Sequence, residues 1–462
     1  IDNRNEAQTM IISCLVGVLM IIVELKYFIC MQALPLVEGT ETYKVWSSPL
    51  HVLFSCYLFN VTNPDEVMQG EYPNLVEYGP FTYTEVSEKQ VLNVDEENDE
   101  ITYTVRSTYI FEEHKSLNVS SQDRVTILNP AYVGTISMLA SLPPNFMKTH
   151  GDNIPKLFPN ASTIFLSARA TDILFNGVKV KCNPKKFPEL RLICMTLKGR
   201  ARPPVLKETN EEGVYLLSIF QNKNNTFRGP FAINRGLKNV SRLGDTTSYL
   251  GKRVQKIWNS DSCNRVRGTD TVTWAPLNER IPSVSTFVSD YCRSIETDYE
   301  YDLTIHGLNG YRYSMKERAW FLNESECYCP IVNKKAECLP QGLLDVSQCQ
   351  NVPIVSSEPH FLHADPELLI YARGLKPDEK VHGTYVVIEP LSGTPLSGQK
   401  KTQLNLKLSR QPVKLLSNVS EGYFPLMWCE SVRFPLEIFN LKNTVTLFNS
   451  KNNTYHSNVA SN

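Results

Sequence analysis

The sequence predicts a mainly β protein with helical insertions, an α+β chain built as one large domain. Three observations predict it. Apolar and polar residues alternate with period two in several segments. Helical periodicity is confined to short runs. No repeat or low-complexity linker interrupts residues 34–430. The 462 residues are 42% hydrophobic and 10% aromatic, enough for a real core. Glycine (22) is scarcer than proline (28), which favours extended segments and turns. A net charge of −1 provides no broad basic field, so nucleic acid is excluded as a partner.

Taken in order, residues 1–9 read as a short tail and residues 10–31 as a membrane-spanning helix. The stretch Met10 to Val23 is uncharged and apolar, and "ELKYFICM" follows it. A spanning helix needs about 20 apolar residues, and the run to Met31 is long enough. Glu24 and Lys26 can snorkel to the headgroups near a helix end. No small-x-small cleavage site follows, which weighs against the alternative of a cleaved signal peptide. A buried helix is the remaining alternative.

Strand signals come next. In "ITYTVRSTYIF", Ile101, Tyr103 and Val105 face one side, and Thr102, Thr104 and Arg106 the other. "QLNLKLS" repeats the pattern with Leu404, Leu406 and Leu408, while "GVYLLSIF" and "GTYVVIEPLSG" read as more buried strands. The acidic run Asp95 to Glu100 is a solvated turn between two strands. Three helices are predicted. "NPAYVGTISMLASLPP" places Tyr132, Ile136, Leu139 and Ala140 on one face and stops at Pro143. "ARATDILFNG" (168–177) ends in a glycine. "DPELLIYARGL" (365–375) carries Asp365 as N-cap, Pro366 in its first turn and Gly374 at its exit.

Cysteine placement bears on the compartment. Six of the 12 cysteines crowd into residues 263–349, and no C-x-x-C pair occurs. Knuckle-type metal sites and thioredoxin-type redox motifs need such pairs. Three disulfides in an exported domain are the preferred reading, with 15 pairings open. Cys14 and Cys30 lie in or beside the apolar segment and read as unpaired; Cys56, Cys182, Cys194 and Cys429 are scattered. Sequons at Asn60, Asn118, Asn160, Asn224, Asn239, Asn323, Asn418 and Asn452 fit a glycosylated ectodomain.

Catalytic signatures are missing from the sequence. It contains no G-x-S-x-G elbow, H-E-x-x-H helix, P-loop or G-x-G-x-x-G. His360 and His363 form the one close histidine pair, and no third ligand accompanies them; a polar loop entering a helix accounts for both. No cofactor is expected.

The blocks "LPLVEGTETYKVWSSP", "YLFNVTNPDEVMQGE", "LVEYGPFTY", "CNRVRGTD", "DYCRSI", "PHFLHADPELL", "GLKPDEKVHGTYVVIEPLSGTPL" and "YFPLMW" occur in that order. Together they resemble the class B scavenger receptor family, which includes fatty acid translocase and the lysosomal integral membrane protein. "ARATDILFNG", "IWNSDSCNRVRGTD" and the acidic run before "ITYTVRSTYIF" are most similar to its branch of insect sensory neuron membrane proteins. The resemblance covers about residues 34–430.

The resemblance implies a glycosylated, disulfide-stabilised ectodomain over residues 32–430, held between two membrane spans. It implies an antiparallel β-barrel-like core, an apical helical bundle near residues 129–177, joined by 365–375, and an apolar tunnel toward the membrane. The disulfides it implies are Cys263–Cys327, Cys292–Cys349 and Cys329–Cys338; a Cys182–Cys194 bond lies outside that set. The implied function is a non-catalytic membrane receptor of olfactory neurons for lipophilic ligands such as fatty acids and fatty-acid-derived pheromones. Its implied partners are the membrane, an odorant receptor channel or an odorant-binding protein. A general scavenger receptor for fatty acids or lipoproteins is the alternative, and a secreted hydrolase a more distant one. Lys148 and Lys156, in the cap, are candidates for attracting a ligand carboxylate at the tunnel mouth. The family's second span is not seen after Trp428, so residues 431–462 are expected as an atypical tail.

Overall fold

Segments that alternate with period two pair as antiparallel neighbours and wrap into a nearly closed barrel. The computed structural model describes residues 34–433 except 141–143, 199–201, 278, 317–325 and 333. Its strands are β1 (Leu50–Val61), β2 (Leu75–Asp95), β3 (Glu100–Phe111), β4 (Arg124–Leu128), β5 (Phe165–Arg169), β6 (Val178–Lys181), β7 (Leu206–Glu208), β8 (Val214–Leu217), β9 (Thr226–Asn234) and β10 (Thr246–Tyr249). They continue as β11 (Ser283–Val288), β12 (Arg293–Ile305), β13 (Leu308–Ser314), β14 (Ile331–Val332), β15 (Lys335–Ala336), β16 (Leu344–Asp345), β17 (Val355–Ser357), β18 (Tyr385–Ile388), β19 (Pro395–Leu408) and β20 (Gly422–Arg433).

The main sheet runs β10-β9-β3-β2-β1-β20-β19-β18-β13-β12-β11, with β17 pairing to β19 and β16 beside it. Its two edges, β10 and β11, are joined by a short segment. Thr246 N donates to Gly268 O (2.7 Å), while Thr269 N and O bond Ser285 O and Phe287 N (both 3.0 Å). Gly268 has φ +85, and a Cβ there would stand 2.7 Å from the Ser285 carbonyl carbon. Only glycine lets the backbone come that close. Closure matters because an open edge offers unpaired backbone groups to other chains.

The first and last strands are neighbours: Leu53 pairs with Val432 and Phe54 with Ser431. β20 keeps its pairing to Arg433, opposite Gly398, so the sheet runs past residue 430. The expected segments 1–9 and 10–31, and the tail from 434 onward, lie outside the described residues. Among the described residues, no helix is long and apolar enough to cross a membrane.

The largest core lies between the Cys56–Val61 part of β1, the Phe424–Cys429 part of β20 and a cap of short elements. The cap mixes a β4–β5 ribbon with helical turns, where a helical bundle was expected. Its helix Pro130–Leu139 starts where the Asn129 side chain accepts from Ala131 N and Tyr132 N, with proline in the first turn. Ala168 and Arg169, read as helical, belong to β5. The helix that follows takes a π-helical form over Asp172–Asn176 and ends at Gly177, φ +98. The segment 365–375 shortens to one turn, Leu368–Tyr371, after Asp365 caps Glu367 N.

Among the described residues, five disulfides tie the chain: Cys263–Cys327, Cys292–Cys349, Cys329–Cys338, Cys182–Cys194 and Cys56–Cys429. Cys56 and Cys429 sit directly opposite one another on β1 and β20, 373 residues apart in the chain. No sequence spacing announces such a pair.

Candidate functional site: the barrel cavity

Alternate residues of the barrel strands point inward and enclose a cavity of about 490 Å³. β1 supplies Leu50, Val52 and Phe54; β3 supplies Tyr103, Val105 and Tyr109; β19 supplies Lys400, Thr402 and Leu404; β20 supplies Cys429, Ser431 and Arg433. Phe220, Phe231, Trp274, Phe287 and Ile295 extend the apolar wall. Protein interiors are close-packed, so a volume of this size is a feature and not slack. It falls within the range of small-molecule sites.

One sector of the wall is charged. Asp290 stands in the turn between β11 and β12, and its carboxylate takes the Lys223 ammonium at 2.9 Å. Its side chain is deep in the molecule yet about 30% exposed, because it faces the cavity. Burial works against its ionisation, but Lys223, Lys400 and Arg228 outweigh it and hold the carboxyl well below the usual range. The Cys292–Cys349 bridge fixes this turn, and Gln350 Nε2 donates to Asp290 O at 2.7 Å. Arg228, on β9, donates to Ser107 Oγ (2.8 Å). Asp270 is fully engaged, accepting from Trp46 Nε1 (3.2 Å), Tyr103 OH (3.0 Å) and Val272 N (2.9 Å).

Several buried polar atoms around the cavity have no partner among the described residues. They are Asn222 Oδ1, Arg228 Nε, Thr246 Oγ1 and Trp274 Nε1. Buried polar groups are nearly always satisfied, so such a grouping calls for a cause.

A second polar cluster lies outside the cavity, beside β20. Glu77 Oε2 accepts from His360 Nε2 and Trp428 Nε1, both at 2.7 Å. The His360 and His382 rings stack at 4.3 Å, and Trp428 stacks on Tyr57 at 4.1 Å. Glu77, His360 and His382 bring their donor atoms within 4.8 Å of one another, close enough for a metal. The hydrogen bonds argue against one. His360 Nδ1 accepts from Lys376 N–H and His382 Nδ1 from Asp378 N–H, each at 3.0 Å. Both Nε2 atoms then carry the proton and offer no lone pair, whereas a ligating histidine donates from its other nitrogen. Burial pushes His382 down to about 4, with His360 adding to the fall.

His363, which the sequence sets beside His360, goes elsewhere. It bonds Glu358 through Nδ1 and Glu379 through Nε2, both at 2.7 Å. The Glu358 hydrogen bond raises its pKa in spite of burial. The two histidines therefore serve separate networks.

Lys148 and Lys156 do not line the cavity. Lys148 is exposed at the end of the helix Pro144–His150, and Lys156 pairs with Glu189 at 2.9 Å. Among the sequons, Asn118, Asn160, Asn239 and Asn418 are exposed. Asn60 and Asn224 are half-buried, their amide oxygens accepting from Thr126 N and Tyr109 N. Asn323 and Asn452 lie outside the described residues.

Sequence reading missed Asp290, Lys223, Arg228 and Lys400. Lys400 had a signal: it shares the period-two face of Leu404, where an apolar wall would not call for a lysine.

Comparison with known proteins agrees with this architecture. The model of the CD36 family matches residues 8–457. Sensory neuron membrane protein 2 of Manduca sexta is 32% identical over 412 residues, 86% of this chain and 79% of the relative. Sensory neuron membrane protein 1 of Apis mellifera is 32% identical over 403 residues, 86% of this chain and 76% of the relative. Sensory neuron membrane protein 2 of Ostrinia furnacalis is 33% identical over 406 residues, 85% and 77% respectively.

Proposed function

The chain belongs to the CD36 family, and we propose that it is a non-catalytic membrane receptor that shelters lipophilic ligands in its barrel cavity. The ligands are fatty acids or fatty-acid-derived pheromones, and they pass on to the bilayer or to an odorant receptor channel. The observation that carries this reading is the cavity itself, about 490 Å³ inside a nearly closed sheet with a mainly apolar wall. Each methylene moved from water to such a wall gains about 0.8 kcal/mol. Capture by an oily chain therefore needs no chemistry beyond access.

Two further facts support delivery to a membrane. Leu50 at the start of β1 and Arg433 at the end of β20 both line the cavity. The cavity thus reaches the end of the barrel where β1 begins and β20 ends. The names of the relatives place them in membranes of sensory neurons.

A binding experiment tests this. The full chain, in nanodiscs, is titrated with a polyene fatty acid whose emission rises in an apolar site. Val105→Trp and Leu404→Trp, which fill the cavity, should each weaken binding by about tenfold or more. Undiminished binding in both variants would refute a ligand in the barrel.

A further inference from the structure

We infer that the disulfide-rich hub beside β12 is a binding site for one small inorganic anion, a halide such as chloride, held against the guanidinium of Arg293. The chamber that takes it shares Tyr291 and Val346 with the barrel wall but is a distinct space. The inference does not depend on what the barrel holds.

Covalent geometry is the first argument. Arg293 opens β12 directly after Cys292, and the Cys292–Cys349 bridge pins that end of the strand. Tyr328 lies between Cys327 and Cys329, which are tied to Cys263 and Cys338. The guanidinium carbon of Arg293 sits over the Tyr328 ring, 3.8 Å from its centre, and the residue is only 9% exposed. Beside it is a chamber of about 10 Å³, lined by Arg293 and Tyr328 together with Trp258, Cys329, Leu343 and Val346. That is room for one species the size of a water molecule.

The missing counter-charge is the second. Nε and Nη1 of Arg293 are buried without a hydrogen-bond partner among the described residues. The groups that act on the guanidinium are Tyr328, Tyr291 and a second cation, Arg267; no carboxylate is among them. Asp345, the acid on the chamber wall, accepts from Ser347 N (2.8 Å) instead. Burial lowers the Arg293 pKa from the usual arginine value, and Arg267 adds to the fall. Carbonyls of the hub are engaged elsewhere. Cys292 O accepts from Trp258 Nε1 (2.8 Å), Cys327 O from Asn259 N (3.0 Å) and Cys329 O from Asn259 Nδ2 (2.6 Å). A ring face offsets part of a cation's charge but leaves its in-plane N–H groups without acceptors. Desolvated N–H groups of that kind are costly, and one anion supplies acceptor and charge together.

Field and size are the third, and they choose the ion. Residues 252–267 carry Lys252, Arg253, Lys256, Arg265 and Arg267 against the single acid Asp261. Val254 pairs with Arg265, so these cations share one ribbon, and Ser294 Oγ donates to Arg267 O (2.7 Å) to hold the ribbon beside β12. Arg253 pairs with Glu100 at 2.7 Å; the other four are exposed and make no ion pair among the described residues. Such a local excess of positive charge concentrates anions near the hub. A one-water chamber then excludes carboxylates, phosphates and sulfates by size and admits a monatomic ion.

The test follows the unfolding of the full chain in nanodiscs as chloride replaces gluconate at constant ionic strength. Stability should rise with chloride and saturate, with the unfolding constant falling about tenfold once chloride reaches roughly ten times its half-saturating concentration. Bromide should reproduce the effect. Arg293→Met, which keeps the length of the side chain and removes its charge, should abolish it. Crystals of the unaltered chain grown in bromide supply a second readout that needs no variant: anomalous scattering should place an ion in contact with the Arg293 guanidinium. That readout decides the matter if Arg293→Met fails to fold. Stability indifferent to chloride, a chloride effect that survives in Arg293→Met, or bromide found only at other places would each overturn the inference and assign the chamber to water. Failure of the barrel to bind a lipid would leave it standing.

Discussion

Two polar clusters lie on opposite sides of the same wall, and they are built to different rules. Beside β20, Glu77, His360, His382 and Trp428 form a closed set in which no buried polar side-chain atom lacks a partner among the described residues. Inside the barrel, beside the Asp290–Lys223 pair, Arg228 leaves its Nε–H donor unspent, and Asn222, Thr246 and Trp274 add further unpartnered atoms. The first cluster is complete by itself and fixes a backbone. His360, Phe361 and His363 have φ between 54° and 58°, a region that L residues rarely adopt. Bonds to both nitrogens of His360, and from its N–H to Gln403 Oε1, hold them there. The second cluster is incomplete by itself, and its unpartnered atoms belong to residues of the cavity wall. Matched groups hold a structure together, whereas unmatched groups around a cavity mark where the interior is least tightly paired.

The largest effect that can break this comparison is Glu77→Ala. It strands the His360 Nε2–H and Trp428 Nε1–H donors together, so it should cost about 2–4 kcal/mol in denaturant unfolding. Ligand preference should not change. A variant with the parent's unfolding midpoint would show the outer cluster to be dispensable.

Next in size is the dependence of stability on pH, which should come from the outer networks and not from the cavity. His363 titrates higher folded than unfolded, held by Glu358. Its contribution is complete below about pH 6.5 and fades as pH rises through the raised value. His382 behaves oppositely, because burial pushes it down to about 4. Its contribution is complete above about pH 6.5 and fades as pH falls toward 4. Melting curves across pH should therefore show two limbs, each no steeper than about 1.4 kcal/mol per pH unit. His363→Gln should flatten the alkaline limb and His382→Gln the acid one. If either limb persisted in its variant, another group would be titrating. Asp290, held low by Lys223, Lys400 and Arg228 against its burial, should show its loss only below about pH 4, outside both limbs.

The smallest effect is Thr246→Val. The hydroxyl has no partner to lose, so the change should stay within about 1 kcal/mol in either direction. A larger loss of thermal stability would mean that the interior is as tightly matched as the exterior.

Much of the frame was legible in the sequence, and for a physical reason. Alternation at Ile101, Tyr103 and Val105 marks a strand with one face toward the interior, and the structure places Tyr103 and Val105 on the cavity wall. Asn129 with Pro130 marks a helix start because both act locally. What depends on distant strands left no such mark. The Cys56–Cys429 bond joins neighbours in the sheet that are 373 residues apart in the chain. The charged sector draws Lys223 from a 3-10 turn, Arg228 from β9, Asp290 from a turn and Lys400 from β19, so only the closed barrel assembles it. Lys148 and Lys156 sit in the cap, and no local signal in the sequence shows that the cavity lies among other strands.

The most direct measurement is a structure of the full chain bound to a long-chain acid carrying bromine on its terminal carbon. The account predicts bromine inside the barrel near Val52 and Val105. Bromine confined to the outer surface would contradict it.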